Sequence, residues 1–228
     1  MEKNILIAVD DSIYTKQAIQ YCSRLAAYTK KMTFTLINVQ PSISQFLLDE
    51  AEKVPSARAE LDRLFRKNRD ASERVLEKAS NQLIKQGVAA SRIRTRTQPK
   101  RVGLAKDILE HAQQNMFDAI VIGRRGISTI QEILMGSLTV KLIEHCTFAP
   151  VWIVDGDVSG KTMMIAADGS ESAFRALDHL CFFTGGADVR ITLFHVRPTI
   201  GEYCPIDFQD KKGTIAETLV SGDKRCMD

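Results

Sequence analysis

Short apolar runs recur along this chain, with helical periodicity filling the intervals between them. Runs at residues 4–10, 32–39, 118–123 and 149–154 are rich in Ile, Val and Leu, the composition of strands buried on both faces. Residues 92–97 read as a weaker strand, because Arg92, Arg94 and Arg96 alternate with Ile93, Thr95 and Thr97. A solvated, charged face suits a sheet edge, where charge discourages unwanted pairing. Helical patterns cover residues 14–29, 56–86, 101–115 and 136–146. The second is the clearest. There Leu61, Leu64, Phe65, Val75, Ala79 and Leu83 recur near helical spacing, and Gly87 follows as a terminating residue. The charges from Arg63 to Arg74, with Asp62, Asp70 and Glu73 interleaved, form the solvated face of that helix. Strands alternating with helices imply an open, doubly wound α/β domain on a five-stranded parallel sheet.

A repeat alters the domain count. Ile5-Leu6-Ile7-Ala8-Val9-Asp10-Asp11-Ser12 recurs as Met163-Met164-Ile165-Ala166-Ala167-Asp168-Gly169-Ser170. Asn38-Val39-Gln40-Pro41-Ser42 recurs as His195-Val196-Arg197-Pro198-Thr199. The aspartate-to-proline interval is 31 residues in the first copy and 30 in the second, a match that coincidence does not readily produce. The expected organisation is one complete unit, residues 1–156, followed by a partial second copy, residues 157–228. Such a chain is either a natural half-repeat or part of a longer tandem chain; two strands with one or two helices bury little surface, so the longer tandem parent is expected.

Composition narrows the class. With 31 basic and 28 acidic residues the formal net charge is only +3, which makes no electrostatic case for a nucleic-acid partner. No apolar run is long enough to enter a membrane as a spanning helix. The five cysteines (Cys22, Cys146, Cys181, Cys204 and Cys226) form no CxxC pair, as expected of reduced thiols in the cytoplasm. His111, His145, His179 and His195 show no metal-ligand spacing. GxSxG, HExxH and P-loop Gly-Lys-Ser/Thr signatures are all absent, which gives catalysis little support.

The chemistry concentrates around Gly123-Arg124-Arg125-Gly126 and, nine residues on, Gly136-Ser137. The first pair of glycines follows the strand Ala119-Ile120-Val121-Ile122; the second site opens the amphipathic stretch Leu138–Cys146. Glycine lets backbone amides approach a ligand closely. A helix N-terminus adds unpaired N–H groups and partial positive charge. Together they describe an anion site, with a nucleotide phosphate as the expected anion. Ser137 is expected to bond phosphate while capping the helix, and Ser12 to cap the first helix. Bland readings stand beside these. Asp10 alone reads as a helix cap, and Arg124 and Arg125 read equally as loop charges or phosphate ligands.

The Asp10-Asp11-Ser12 turn, the Gly123-x2-Gly126-x9-Gly136-Ser137 signature and the strand Ala149-Pro150-Val151-Trp152-Ile153-Val154 resemble the ATP-binding branch of the universal stress protein family. The resemblance covers residues 1–155, and the second copy resembles the first half of the same module. It implies a sheet of order 3-2-1-4-5 and a nucleotide crevice where the winding direction reverses. It implies ATP or another adenine nucleotide as ligand, with Mg²⁺ a possible companion. The glycine signature and its helix start, Gly123, Arg124, Arg125, Gly126, Gly136, Ser137 and Leu138, hold phosphates and ribose. Asp10 and the Val39 backbone contact the base, with Ser12 beside them. Arg124 stands where the family usually has a small hydroxyl residue. The resemblance further implies a stress-response binding protein and a homodimer through the last strand of the first unit, and it allows for a protein partner such as a transporter. A structural adaptor working through its sheet edge and a slow ATPase are the alternatives. The second copy lacks the glycine loop and is expected not to bind in the same way.

Overall fold

The computed structural model describes residues 2–29, 31–124, 136–159 and 161–196. Its contacts divide the chain into two units, Met1–Gly160 and Lys161–Asp228.

In the first unit, strands β1 (Lys3–Ala8), β2 (Met32–Gln40), β3 (Ile93–Pro99), β4 (Ala119–Gly123) and β5 (Val151–Val154) form one sheet in the order β3-β2-β1-β4-β5. All four pairings are parallel, with Ile5 opposite both Phe34 and Ala119. The expected order is therefore the observed one. β1 sits at the centre, and Ile5, Leu6 and Ile7 have no exposed surface at all. A strand covered on both faces has no solvated side to signal, hence its unbroken apolar run.

Helices α1 (Ile13–Tyr28) and α3 (Pro55–Lys85) cover one face; α4 (Leu104–Gln114) and α5 (Ser137–His145) cover the other. On the second face, Leu6, Ile37, Ile120 and Ile122 pack with Ala105, Ile108, Ala112 and Leu142. Residues one position away, such as Ile7 and Leu36, turn by strand alternation toward α1 and α3. There Ala18, Ile19 and Cys22 of α1 and Leu76, Ala79 and Leu83 of α3 are buried.

The long helix ends where expected. Gly87 takes φ +95°, while its N–H donates to Ile84 O and that of Val88 to Leu83 O. This is a glycine-terminated reversal that a side chain at this position would strain. Helix α2 (Gln45–Lys53), absent from the sequence reading, precedes α3 and packs on it. Its nine residues bury only Ala51, too short a stripe to register as periodicity.

In the second unit, β6 (Thr162–Ala166) and β7 (Arg190–Phe194) pair in parallel, joined by α6 (Glu171–Thr184). Among the described residues of this unit, Phe183 and Ile165 are the buried hydrophobic ones.

Candidate functional site

Three strand ends build the site. At the end of β1 the chain turns through Val9-Asp10-Asp11-Ser12 into α1. Ser12 is the N-cap, its hydroxyl accepting from Thr15 N–H at 3.2 Å. Asp10 Oδ1 accepts from Ser12 N–H at 3.1 Å, and from the hydroxyls of Ser12 and Thr15 at 2.6 Å each. The capping role considered for Asp10 and Ser12 is thus present. It rigidifies the turn and holds one carboxylate oxygen in place, at the positive end of α1.

At the end of β2, Val9 N–H donates to Ile37 O at 2.9 Å, and Asn38 Nδ2 donates to Val9 O at 2.7 Å. Period two in a strand turns the Val39 backbone groups toward the same side as those of Ile37. β1 has already ended there, since its last pairing is Ala8 with Ile37. Val39 therefore presents its main chain beside the Asp10 turn.

At the end of β4, Gly123 meets the first turn of α1. A Cβ at Gly123 would lie 2.5 Å from Tyr14 Cβ and 2.7 Å from its carbonyl carbon. The close approach that glycine permits here is helix against strand, which sequence reasoning had ascribed to ligand alone. Next in the chain, Arg124 O accepts from Gly136 N–H and from Thr139 Oγ1, both at 3.1 Å. These two bonds clasp the end of β4 to the start of α5. Arg125 and Gly126 lie outside the described residues.

Gly136, not Ser137, is the N-cap of α5; Ser137 is its first, exposed residue. The expectation that Ser137 caps is corrected here. Gly136 is buried with φ −61°, a dihedral that any residue adopts. No side chain caps α5, in contrast to α1, α2 and α6. Helix geometry leaves the N–H groups of Ser137, Leu138 and Thr139 without intrahelical acceptors. The Arg124 guanidinium forms an ion pair with Asp155, and this half-exposed pair orients it along the end of β5. Thr15, Thr139 and Asp155 escaped sequence reasoning because each acts through a contact remote in sequence or on another element. The turn Asp10–Thr15, the Val39 backbone, Gly123–Arg124 and Gly136–Leu138 thus lie together at the carboxyl ends of β1, β2 and β4, where the winding reverses.

The second unit repeats part of this arrangement. Ser170 N–H donates to Asp168 Oδ1 at 2.9 Å, and Ala173 N–H donates to Ser170 Oγ at 3.2 Å. Ala167 N–H donates to Phe194 O at 2.8 Å, while His195 Nδ1 lies 2.6 Å from Ala167 O, the contact that Asn38 makes to Val9. A cavity of about 430 Å³ opens beside Asp168, Ser170, His195 and Val196. Among the described residues, no cluster of His, Cys, Asp and Glu is arranged to hold a metal, and no helix is long and apolar enough to cross a membrane.

Universal stress protein YxiE of Bacillus subtilis (strain 168) is 26% identical over 155 residues, spanning 68% of this chain and 99% of that relative. A universal stress protein from Archaeoglobus fulgidus DSM 4304 has a similar fold, with TM-score 0.55 and 17% identity, over 98% of this chain and 74% of that one. Another, from Archaeoglobus fulgidus, solved in complex with dAMP, has TM-score 0.47 and 16% identity over 67% of this chain and 98% of its own. Residues 1–155 match the Universal stress protein family, so the strand-end site described above is carried by a chain that belongs to that family.

Proposed function

We propose that the first unit binds an adenine nucleotide, ATP in the fullest form, and serves as a nucleotide-responsive regulatory protein in stress physiology. Membership of the family supports the ligand class. The observation that carries the reading is the uncapped start of α5, held against the end of β4 by the Arg124 carbonyl. Backbone N–H groups fixed in this way, with the helix dipole behind them, suit a polyanion that needs no covalent chemistry.

The residues divide the work by position. Ser137 and Leu138 amides, with the Ser137 hydroxyl and the Gly126 and Arg125 main chain, would hold phosphate oxygens. Asp10 and the Val39 backbone would hold the base and ribose, and Ser12 keeps the Asp10 carboxylate in place. Mg²⁺, if it accompanies the phosphates, would be held mainly by their own oxygens. We assign no catalytic residue. The expected activity is binding without efficient turnover, in a cytoplasmic homodimer paired through β5. The second unit is a partial copy without a glycine signature, so one nucleotide per chain is expected.

Calorimetric titration of purified protein with ATP tests the reading. Saturable binding near one per chain is expected, with G126V and G136V losing it while circular dichroism stays native. Affinity that survives both changes would overturn the assignment.

A further inference from the structure

The outer edge of β3 carries opposite charge on its two faces, a feature independent of the nucleotide reading. Thr97 Oγ1 lies 2.6 Å from Ser72 Oγ of α3, so Thr95 and Thr97 face that helix. Arg94 and Arg96, one residue out of phase, turn to the α4 side, where Gln98 Nε2 donates to Asp107 O at 3.3 Å. Arg94, Thr95 and Arg96 are all exposed, and neither arginine pairs with a carboxylate among the described residues. On the α3 side, Glu73, Glu77, Ser80 and Asn81 follow one helical stripe above Thr95 and Thr97, around a cavity of about 470 Å³. Glu73 shares its charge with Arg69 at 2.8 Å; Glu77 adds a second carboxylate.

We propose that this edge is a docking site for an extended segment of another protein whose acidic and basic residues alternate. Added beside β3, such a strand would set Asp or Glu against Arg94 and Arg96, and Lys or Arg against Glu73 and Glu77. The cavity has room for a long basic side chain. A second copy of β3 does not fit, because its arginines would meet the same cationic row. Nucleic acid fits only half of the edge, since Glu73 and Glu77 repel phosphate from the other face. The arginines that block self-pairing thereby select an acidic partner.

The test uses the full-length chain and a fluorescein-labelled peptide of four Glu-Lys repeats, whose alternation as a strand puts all Glu on one face. The control has the same composition in Glu-Glu-Lys-Lys blocks. The alternating peptide is expected to bind and to shift the amide resonances of residues 93–98. R94E/R96E and E73K/E77K are each expected to weaken it about tenfold with little change in melting temperature, as befits exposed sites. R94Q/R96Q, which only neutralises, gives an intermediate loss and covers the case in which charge reversal perturbs folding. Equal binding of the blocked peptide, preference for an oligouridine of similar length, unchanged affinity in the variants, or no binding at about 1 mM peptide each overturns the proposal.

Discussion

Gly123 shows how one missing side chain serves packing and site together. Its backbone lies where a Cβ would stand 2.8 Å from Tyr14 O and closer still to two other Tyr14 atoms. Two of those three atoms belong to the helix main chain, which does not rotate away. Gly123→Ala is expected to destabilise the first unit by about 1–3 kcal/mol, read as a lower urea midpoint. An unchanged midpoint would show that α1 and β4 separate freely. Cys22 illustrates burial acting on chemistry. It is fully enclosed under α1, and burial pushes its thiol far above the usual range. At neutral pH it is expected to resist a thiol reagent in the native state, while exposed Cys181 reacts at once. Peptide mass mapping distinguishes them, and rapid native labelling of Cys22 would contradict the packing.

The helix starts are the elements that differ most in purpose. α1 and α6 begin with the same aspartate–serine cap, whereas α5 begins on a bare glycine. In α6 the Ser170 hydroxyl and amide hold the Asp168 carboxyl below its ordinary value. The sign follows from the lowered value. The cap contributes in full above the ordinary carboxylate range, and its contribution is lost as pH falls through that range to the lower native value. Solvent screens this exposed group, so a small effect is expected: the protection factors of the Ser170 and Ala173 amides, measured against intrinsic exchange at each pH, fall on acidification. Asp168→Asn should flatten that pH profile, and a profile unchanged by the substitution would deny Asp168 the role. For α5 the expectation differs. Thr139→Val removes one of the two bonds to Arg124 O and leaves a valine of similar size. Nucleotide affinity is expected to drop several-fold with a smaller change in melting temperature, because the clasp positions the amides that would receive phosphate. Equal losses in both would make Thr139 purely structural.

At the scale of the molecule, β5 is the second edge of the sheet. Its Ile153 is 37% exposed, while Tyr21 and Trp152 meet edge-on at 6.2 Å behind it. An apolar edge of this kind templates pairing. Under the proposed dimer, Ile153→Lys should halve the mass seen by sedimentation without loss of nucleotide; an unchanged mass would place the contact elsewhere. Much of this architecture was legible in the residues themselves. Apolar runs marked four of the five strands, most plainly the doubly buried β1 and β4, while the alternation of arginine with Ile and Thr marked β3, and Gly87 marked the end of α3 because few residues accept its φ of +95°. The Asp10-Asp11-Ser12 turn and the spaced glycines marked which strand ends matter. What sequence left open depended on distances between remote segments. Helix α2 buries a single residue, Tyr14 presses on Gly123 across more than a hundred positions, and Arg124 turns to Asp155. Local pattern reports which face of an element is apolar; which atom meets which is decided when the sheet brings its strand ends together, and the site is made of those meetings.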